Sequence, residues 1–531
     1  MFPIAIFIGI YSYIIFSLGL LNLLQKDIIL VITLVYVLIT GFIVINFFKK
    51  NNQKEEDKKF DLFEYFLTGS ILSLSVINLI GVLGPELSFD ALWYHLTLPK
   101  IYLERGSIDF IPGNLMYYSA MPKLMEMLYV FGFSMGSEVY PKIIHFLFGL
   151  LSTLAIYKVS GKFLSRKYSI VASLIFYSNL VVGWESITAY VDLGRTFFEI
   201  MALWGFLNWI ESKEKKWLYE SAVMVGLAIS TKLVAIMSIP IFLFLIGRYL
   251  YREKEKKNII LREIILFTLI SLSIPLPWFV FSYINTLNPI YPLFTGYLNN
   301  GIESINPINW PGNVIRLFAF SNDPVNPIYL ILIPLIILYF KKLSRNSKVI
   351  FEYSVIAIVL WVLTSGVETG RFILPYLPAF SILSSEVIYS IKNSFLKKYL
   401  LTIILVIMAT TLVYRGVANS KFLPVILNIQ TKDDFLNKHL NFNFGDFYDT
   451  DSFFQKYIGE KDIVLLYGFH NLYYVDFSFI DSSWVKTGDE FKYIATKNSE
   501  IPKRFKHWKL IYENPITNVK LYSYYGLTWH Y

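Results

Sequence analysis

L-F-E-Y-F-L-T-G-S-I-L-S-L-S-V-I-N-L-I-G-V-L, Leu62 to Leu83, is a long apolar run with one carboxylate near its start. About 20 such residues cross the hydrocarbon core as a helix, so it reads as a membrane span. It leads into S-F-D-A-L-W-Y-H-L-T-L-P-K-I-Y-L-E-R-G, Ser88 to Gly106. Ser88 can cap a short helix, which places Asp90 in the first turn, where the helix dipole favours a carboxylate. Trp93, Tyr94 and Tyr102 are amphipathic rings of the kind that rest at headgroup level. The stretch therefore reads as an amphipathic helix on the outer membrane surface with a carboxylate at its entrance. A charge held where lipid meets water suggests chemistry on a lipid-linked substrate. The plainer alternative is a solvated acid in the loop after a span.

Composition extends this to the whole chain. Of its 531 residues, 55% are hydrophobic and only 16% charged. A soluble chain carries roughly 25% charge, so a polytopic α-helical membrane protein is expected, with no nucleic-acid partner. Cysteine is absent, which removes disulfides, thiolate nucleophiles and cysteine metal sites. The six histidines form no H-x-x-x-H or H-E-x-x-H pair. The N-terminal M-F-P-I-A-I-F lacks a basic flank and reads as a first span, not a cleaved signal.

Basic loops set the expected topology. Residues 2–24 and 28–48 form a hairpin. K-K-N-N-Q-K-E-E-D-K-K, Lys49 to Lys59, then marks the cytoplasmic side, so Leu62–Leu83 runs outward and Asp90 lies outside. Further cytoplasmic markers are 248–262, 341–348 and 392–398. About 12–13 membrane helices are expected, with the N-terminus in the cytoplasm. One conflict stays open: the loop K-V-S-G-K-F-L-S-R-K, 158–167, is basic, yet two crossings between 117 and 158 would leave it outside. Either 117–135 does not cross, or this loop breaks the rule. The loop 284–327 is rich in Asn and Pro and nearly uncharged. Residues 418–531 carry thirteen Lys/Arg and thirteen Asp/Glu and no span-length apolar run. D-I-V-L-L-Y, from Asp462, and Y-Y-V-D-F-S-F-I, from Tyr473, look like strands of a small extracytoplasmic α/β domain. The expected division is 1–59 as hairpin and linker, 60–417 as the membrane unit and 418–531 as this outer domain.

These pieces together resemble the GT-C class of membrane glycosyltransferases. The likeness is to its protein mannosyltransferase and aminoarabinose transferase branch, glycosyltransferase families 39 and 83. The matching pieces are F-D-A-L-W-Y-H-L around Asp90, P-K-L at Pro122–Lys123, Y-V-D at 190–192 and G-L-A-I-S-T-K at 226–232. N-P-I-Y-P at 288–292 and R-F-I-L-P-Y-L-P at 371–378 also fit. The hairpin before residue 60 is extra, and the usual paired prolines are here Met121-Pro122.

The resemblance implies a GT-C-like fold and transfer of a sugar from a polyprenyl-phosphate carrier to a lipid, glycan or protein acceptor. It places the site on the extracytoplasmic face of the plasma membrane. The residues suit that chemistry. Asp90 can take the acceptor's proton as a general base. Lys123, Lys232 and Arg371 can cradle the phosphate leaving group; snorkelling at the interface is the alternative for each. Asp192 can orient the sugar or acceptor, or simply pair with Arg195. Tyr94 belongs with the substrate-binding residues. His95 can bond Asp90 or join a divalent metal site, although a lone histidine more often does neither. A flippase or polymerase of lipid-linked oligosaccharide, or another transporter, is the alternative class. A transporter concentrates ionisable residues near span centres; here they gather at outer ends.

Overall fold

The computed structural model describes residues 1–51, 59–295, 310–364 and 369–531. Most of the lysine loop 49–59 and part of loop 284–327 lie outside the described residues. The first helices are α1 (Phe2–Leu20), α2 (Lys26–Asn51) and α3 (Leu62–Leu83). A capping box starts α3: Asp61 accepts from the Glu64 amide at 2.7 Å, and the Asp61 amide donates back to Glu64 at 3.0 Å. Beyond α3 come α4 (Thr97–Arg105), α5 (Leu124–Met135), α6 (Val139–Ser160), α7 (Arg166–Tyr177) and α8 (Leu180–Glu185). The next helices are α9 (Asp192–Ser212), α10 (Lys215–Thr231), α11 (Ser238–Arg252), α12 (Lys257–Ser273) and α13 (Leu276–Thr286). Helices Ile328–Tyr339, Arg345–Thr364, Leu377–Ser390 and Ser394–Ser420 complete the bundle.

Among the described residues, eight helices are long and apolar enough to cross a membrane, nine if the bent pair α12–α13 is one span. The higher expectation of about 12–13 includes segments that are shorter or carry more charge. Helix α9 is one of these, with Asp192, Arg195, Glu199 and Glu211 along its length.

Ion pairs sort the loops onto two ends of the bundle. Arg166 meets Glu64 at 2.6 Å and Lys167 meets Asp61 at 3.0 Å. Lys162–Glu211, Lys213–Glu253, Arg345–Glu253 and Lys215–Glu263 join the same end, each within 2.9 Å. The loop 158–167 thus shares an end with the start of α3, which resolves the open conflict. The stretch 117–135 does not cross. Its helix, α5, has 12 residues, about 18 Å of rise against the ~30 Å needed. Helix α5 packs instead beneath α4, and α6 makes the return crossing.

The opposite end carries Asp90 and the C-terminal region. There β1 (Val464–Tyr467), β2 (Phe479–Asp481), β3 (Glu490–Phe491), β4 (Tyr493–Lys497), β5 (Lys509–Asn514), β6 (Val519–Ser523) and β7 (Trp529–His530) form two sheets. The larger has the order β2-β1-β4-β6-β5, with β1 parallel to both β2 and β4. The smaller pairs β3 with β7. Of the expected strand from Tyr473 to Ile480, only Phe479 and Ile480 fall in a strand, β2. The preceding residues dock on the outer loop: the Lys100 ammonium donates to the carbonyls of Tyr473 and Val475 and to Asp476. The Tyr473 amide donates to Leu92 O at 3.1 Å, and the Tyr474 hydroxyl to Glu86 O at 2.9 Å.

Two outcomes are expected. With no native cysteine, single cysteines report sidedness: an impermeant maleimide on intact cells should label Tyr525→Cys and spare Lys216→Cys. The reverse pattern would invert the topology. In the sheet, burial pushes the Asp481 carboxyl up to about 6. The folded state therefore holds that proton more tightly than the unfolded chain does. Stability is lost as pH rises from the ordinary carboxylate range through about 6. Asp481→Asn should recover about 1–3 kcal/mol at pH 7 and almost nothing at pH 4; a lower melting temperature at pH 7 would contradict this.

Candidate active site

The chain leaves α3 at Gly84, and Glu86 organises the turn beyond it. One of its carboxylate oxygens accepts the amides of Leu87 and Ser88, and the other accepts the Ala189 amide at 2.8 Å. Buried Lys142 donates to the carbonyls of Gly81 and Gly84. These bonds fix the 84–90 turn against the 185–191 turn. Ser88 does not cap with its side chain, as the sequence suggested; Glu86 serves that segment. Residues 91–95 then form a widened turn in which the Leu96 amide donates to Ala91 O. Such i→i+5 turns are frequent at functional sites. Tyr94 and Tyr102 do not face lipid headgroups with their rings: they are 7% and 0% exposed, packed inside the protein.

Asp90 stands at the start of that turn. One of its oxygens accepts from the Arg371 guanidinium at 2.7 Å; the other has no hydrogen bond among the described residues. Its backbone amide donates to the Tyr190 hydroxyl at 3.2 Å, and the Arg371 guanidinium lies 5.0 Å from the Tyr190 ring centroid. Tyr190 is held in turn by the Tyr129 hydroxyl, which donates to its carbonyl. Arg371 is placed by Gly370, whose amide donates to Ser321 Oγ at 2.5 Å. A Cβ on Gly370 would meet the Asp323 carbonyl oxygen at 2.1 Å, so no larger residue fits without displacing backbone.

Lys232 sits where α10 ends, on the 3₁₀ turn that leads into α11. It pairs with Asp192 at 2.7 Å. The lysine and Arg371 each lie 5.5 Å from the Phe372 ring centroid. Asp192 also interacts electrostatically with Arg371. The suggested Asp192–Arg195 pair does not form; Arg195 turns to Glu199 and to the Tyr376 hydroxyl.

A cavity opens beside these pairs, lined by Tyr94, His95, Tyr118, Lys123, Glu126 and Lys232 among others. Tyr94 stacks flat on Tyr118 at 3.6 Å. Lys123 is 2% exposed. It donates to the carbonyls of Ser119 and Met121 and lies 4.8 Å from the Trp278 ring centroid. No carboxylate is within ion-pair distance of it among the described residues. His95 Nδ1 bonds Glu126 at 2.7 Å, and His95 makes no hydrogen bond to Asp90 among the described residues. Among the described residues no three His, Asp or Glu side chains gather closely enough to hold a metal ion. The described residues thus form no such cluster around His95.

Two participants escaped the sequence reading. Tyr190 was visible inside Y-V-D, and Glu126 lies three residues after Lys123, but neither has a signal that names its partner. Glu185, in the same 185–195 stretch as Asp192, is fully buried, and neither carboxylate oxygen has a hydrogen-bond partner among the described residues. His145, 3.9 Å away, does not neutralise it. That ring's Nδ1 faces two carbonyls and its Nε2 accepts the Leu193 amide, which makes it a neutral tautomer.

Known proteins share this arrangement of helices. A family profile described as dolichyl-phosphate-mannose-protein mannosyltransferase matches residues 124–278. The structure of ArnT from Cupriavidus metallidurans bound to undecaprenyl phosphate superposes with a TM-score of 0.59 and 11% identity. That match covers 86% of this chain and 98% of the other. The apo state of the same protein gives a TM-score of 0.56 and 11% identity, over 86% of this chain and 97% of the other. No curated protein sequence matches the chain. The chain is a multi-span membrane protein with the fold of the GT-C membrane glycosyltransferases.

Proposed function

We propose that this protein transfers a sugar from a polyprenyl-phosphate carrier to an acceptor on the extracytoplasmic face of the plasma membrane. One observation carries the reading. Lys123 is buried with no carboxylate within ion-pair distance among the described residues, and it lines the same cavity as Lys232. Burial lowers the pKa of its ammonium to about 7, while nearby Glu126 opposes this. A buried cation is costly without a counter-charge, so the cavity suits an anionic guest. The ArnT structure bound to undecaprenyl phosphate has this fold, which supports a lipid phosphate as that guest. In this reading residues 60–417 perform the chemistry, the 1–59 hairpin braces them and 418–531 covers the outer end.

The reaction needs no covalent enzyme intermediate. The acceptor oxygen attacks the anomeric carbon, and the bond from that carbon to the phosphate oxygen breaks. The lipid phosphate leaves with the electron pair, and the acceptor's proton passes to the free oxygen of Asp90. Lys123, Lys232 and Arg371 balance charge on the departing phosphate, and Asp192 aims Lys232. Tyr94 and Tyr118 offer a flat apolar wall to the sugar or carrier. Arg371 has two anions to choose between. With the site empty it holds one oxygen of Asp90; with donor bound it turns toward the phosphate and leaves both oxygens open.

The test is incubation of purified protein with a panel of polyprenyl-phosphate sugars, scored for free lipid phosphate. Release that depends on an acceptor supports transfer. Movement of intact donor across a vesicle membrane with no release would instead favour a flippase.

A further inference from the structure

One histidine over the Asp90 turn has no part in the transfer step. The His470 ring, from the C-terminal region, stacks on Phe89 at 4.8 Å and lies 4.3 Å from Trp93. It therefore covers the turn whose first residue is Asp90, and it interacts electrostatically with that carboxylate. Phe444 extends the same rim: it lies 5.1 Å from Phe89 and is 68% exposed.

A relay beneath the ring fixes its hydrogen. The Lys497 ammonium donates to the Asp446 carbonyl. The Asn471 side-chain nitrogen donates to an Asp446 carboxylate oxygen at 2.6 Å. That orients the amide, so its oxygen faces His470 Nδ1 at 2.8 Å. An amide oxygen only accepts, so Nδ1 carries the hydrogen and Nε2 presents a lone pair. Nε2 has no hydrogen bond among the described residues. Burial lowers the ring's basicity below that of an ordinary histidine, which keeps it neutral near pH 7. The backbone supports this placement: at Gly445, φ is +122° and a Cβ would lie 3.2 Å from the His470 Cβ.

We propose that His470 and the rim of Phe89 and Phe444 form the acceptor site, in which Nε2 receives a hydrogen bond from a saccharide hydroxyl. The inference rests on the proposed transferase activity. A sugar is the chemistry that uses both features, because its C–H face packs on exposed aromatic rings while its hydroxyls donate to an unpaired nitrogen. Held there, the acceptor lies over the turn that presents Asp90. The C-terminal region then selects the acceptor, while the bundle holds the donor.

The experiment uses the full chain in nanodiscs, with the best donor from the panel and octyl glucoside, below its micellar concentration, as the hydroxyl-bearing probe. Lipid-phosphate release is followed against each substrate in turn. His470→Ala should raise the octyl glucoside KM about tenfold and leave the donor KM unchanged. His470→Gln, which restores a neutral acceptor atom, should recover most of that loss. If the wild type releases no lipid phosphate from any donor, the transferase reading fails and this inference falls with it. If release occurs but does not depend on octyl glucoside, the saccharide assignment is overturned while transfer stands. If His470→Ala leaves both KM values unchanged, or shifts them together with no rescue by Gln, the acceptor role is overturned.

Discussion

Asp90→Asn should lower sugar transfer by about 10²–10⁴-fold, the range that general-base assistance supplies. Asparagine is nearly isosteric, and its side-chain oxygen can still accept from Arg371, so the turn around Tyr190 should hold. It cannot take the acceptor's proton. Donor binding should survive and can tighten, because Arg371 no longer answers to a carboxylate at 2.7 Å. Single-turnover transfer and equilibrium binding of the donor separate these effects. His95→Ala should cost less, since His95 bonds Glu126 and does not reach Asp90. Should Asp90→Asn transfer at close to the wild-type rate, the base lies elsewhere. Glu185, buried with both oxygens unbonded among the described residues, and Asp192 are then the groups to replace.

Arg371→Ala should weaken binding of polyprenyl phosphate, with or without its sugar, by about 10–100-fold. A hydrogen bond to a charged group is worth about 1.5–3 kcal/mol. Arg371→Lys should recover only part of this, because an ammonium lacks the planar fork. The change leaves Asp90 unpaired, but that side chain is 17% exposed and keeps access to water. Lys232 is less simple to replace, since Asp192 is 1% exposed and would be stranded. Lys232→Met combined with Asp192→Asn avoids that penalty and should also weaken phosphate binding. Unchanged affinity for the sugar-free lipid phosphate in Arg371→Ala would remove the residue from the phosphate site.

Much of the architecture was legible because hydropathy and loop charge are local properties. Lys162, Arg166 and Arg345 advertise their end of the bundle by type alone, and their ion pairs agree. The short α5 was harder. Its apolar run looks long from Met116, but a 3₁₀ turn and Pro122 use up residues before the helix begins at Leu124. The candidate site was legible as a set of residues and not as a set of pairs. Arg371 and Asp90 are 281 positions apart, and nothing in either motif names the other. Asp192 lies three residues from Arg195 and forty from Lys232, yet it takes the distant partner, because Arg195 points to Glu199 and Tyr376. The aromatic run from Tyr473 reads as a strand by composition; its first rings are used instead to grip the outer loop. His470 carries no motif, and its tautomer depends on Asn471 and Asp446 behind it.

The contact between Arg371 and Asp90 has a temporal consequence in the proposed reaction. An idle enzyme has one oxygen of its proton acceptor held by its own guanidinium. That hold lifts when a phosphate arrives to compete for Arg371. Substrates would then have to enter in a fixed sequence, carrier first and acceptor second. The same residue that recognises one substrate would thus set the clock for the other.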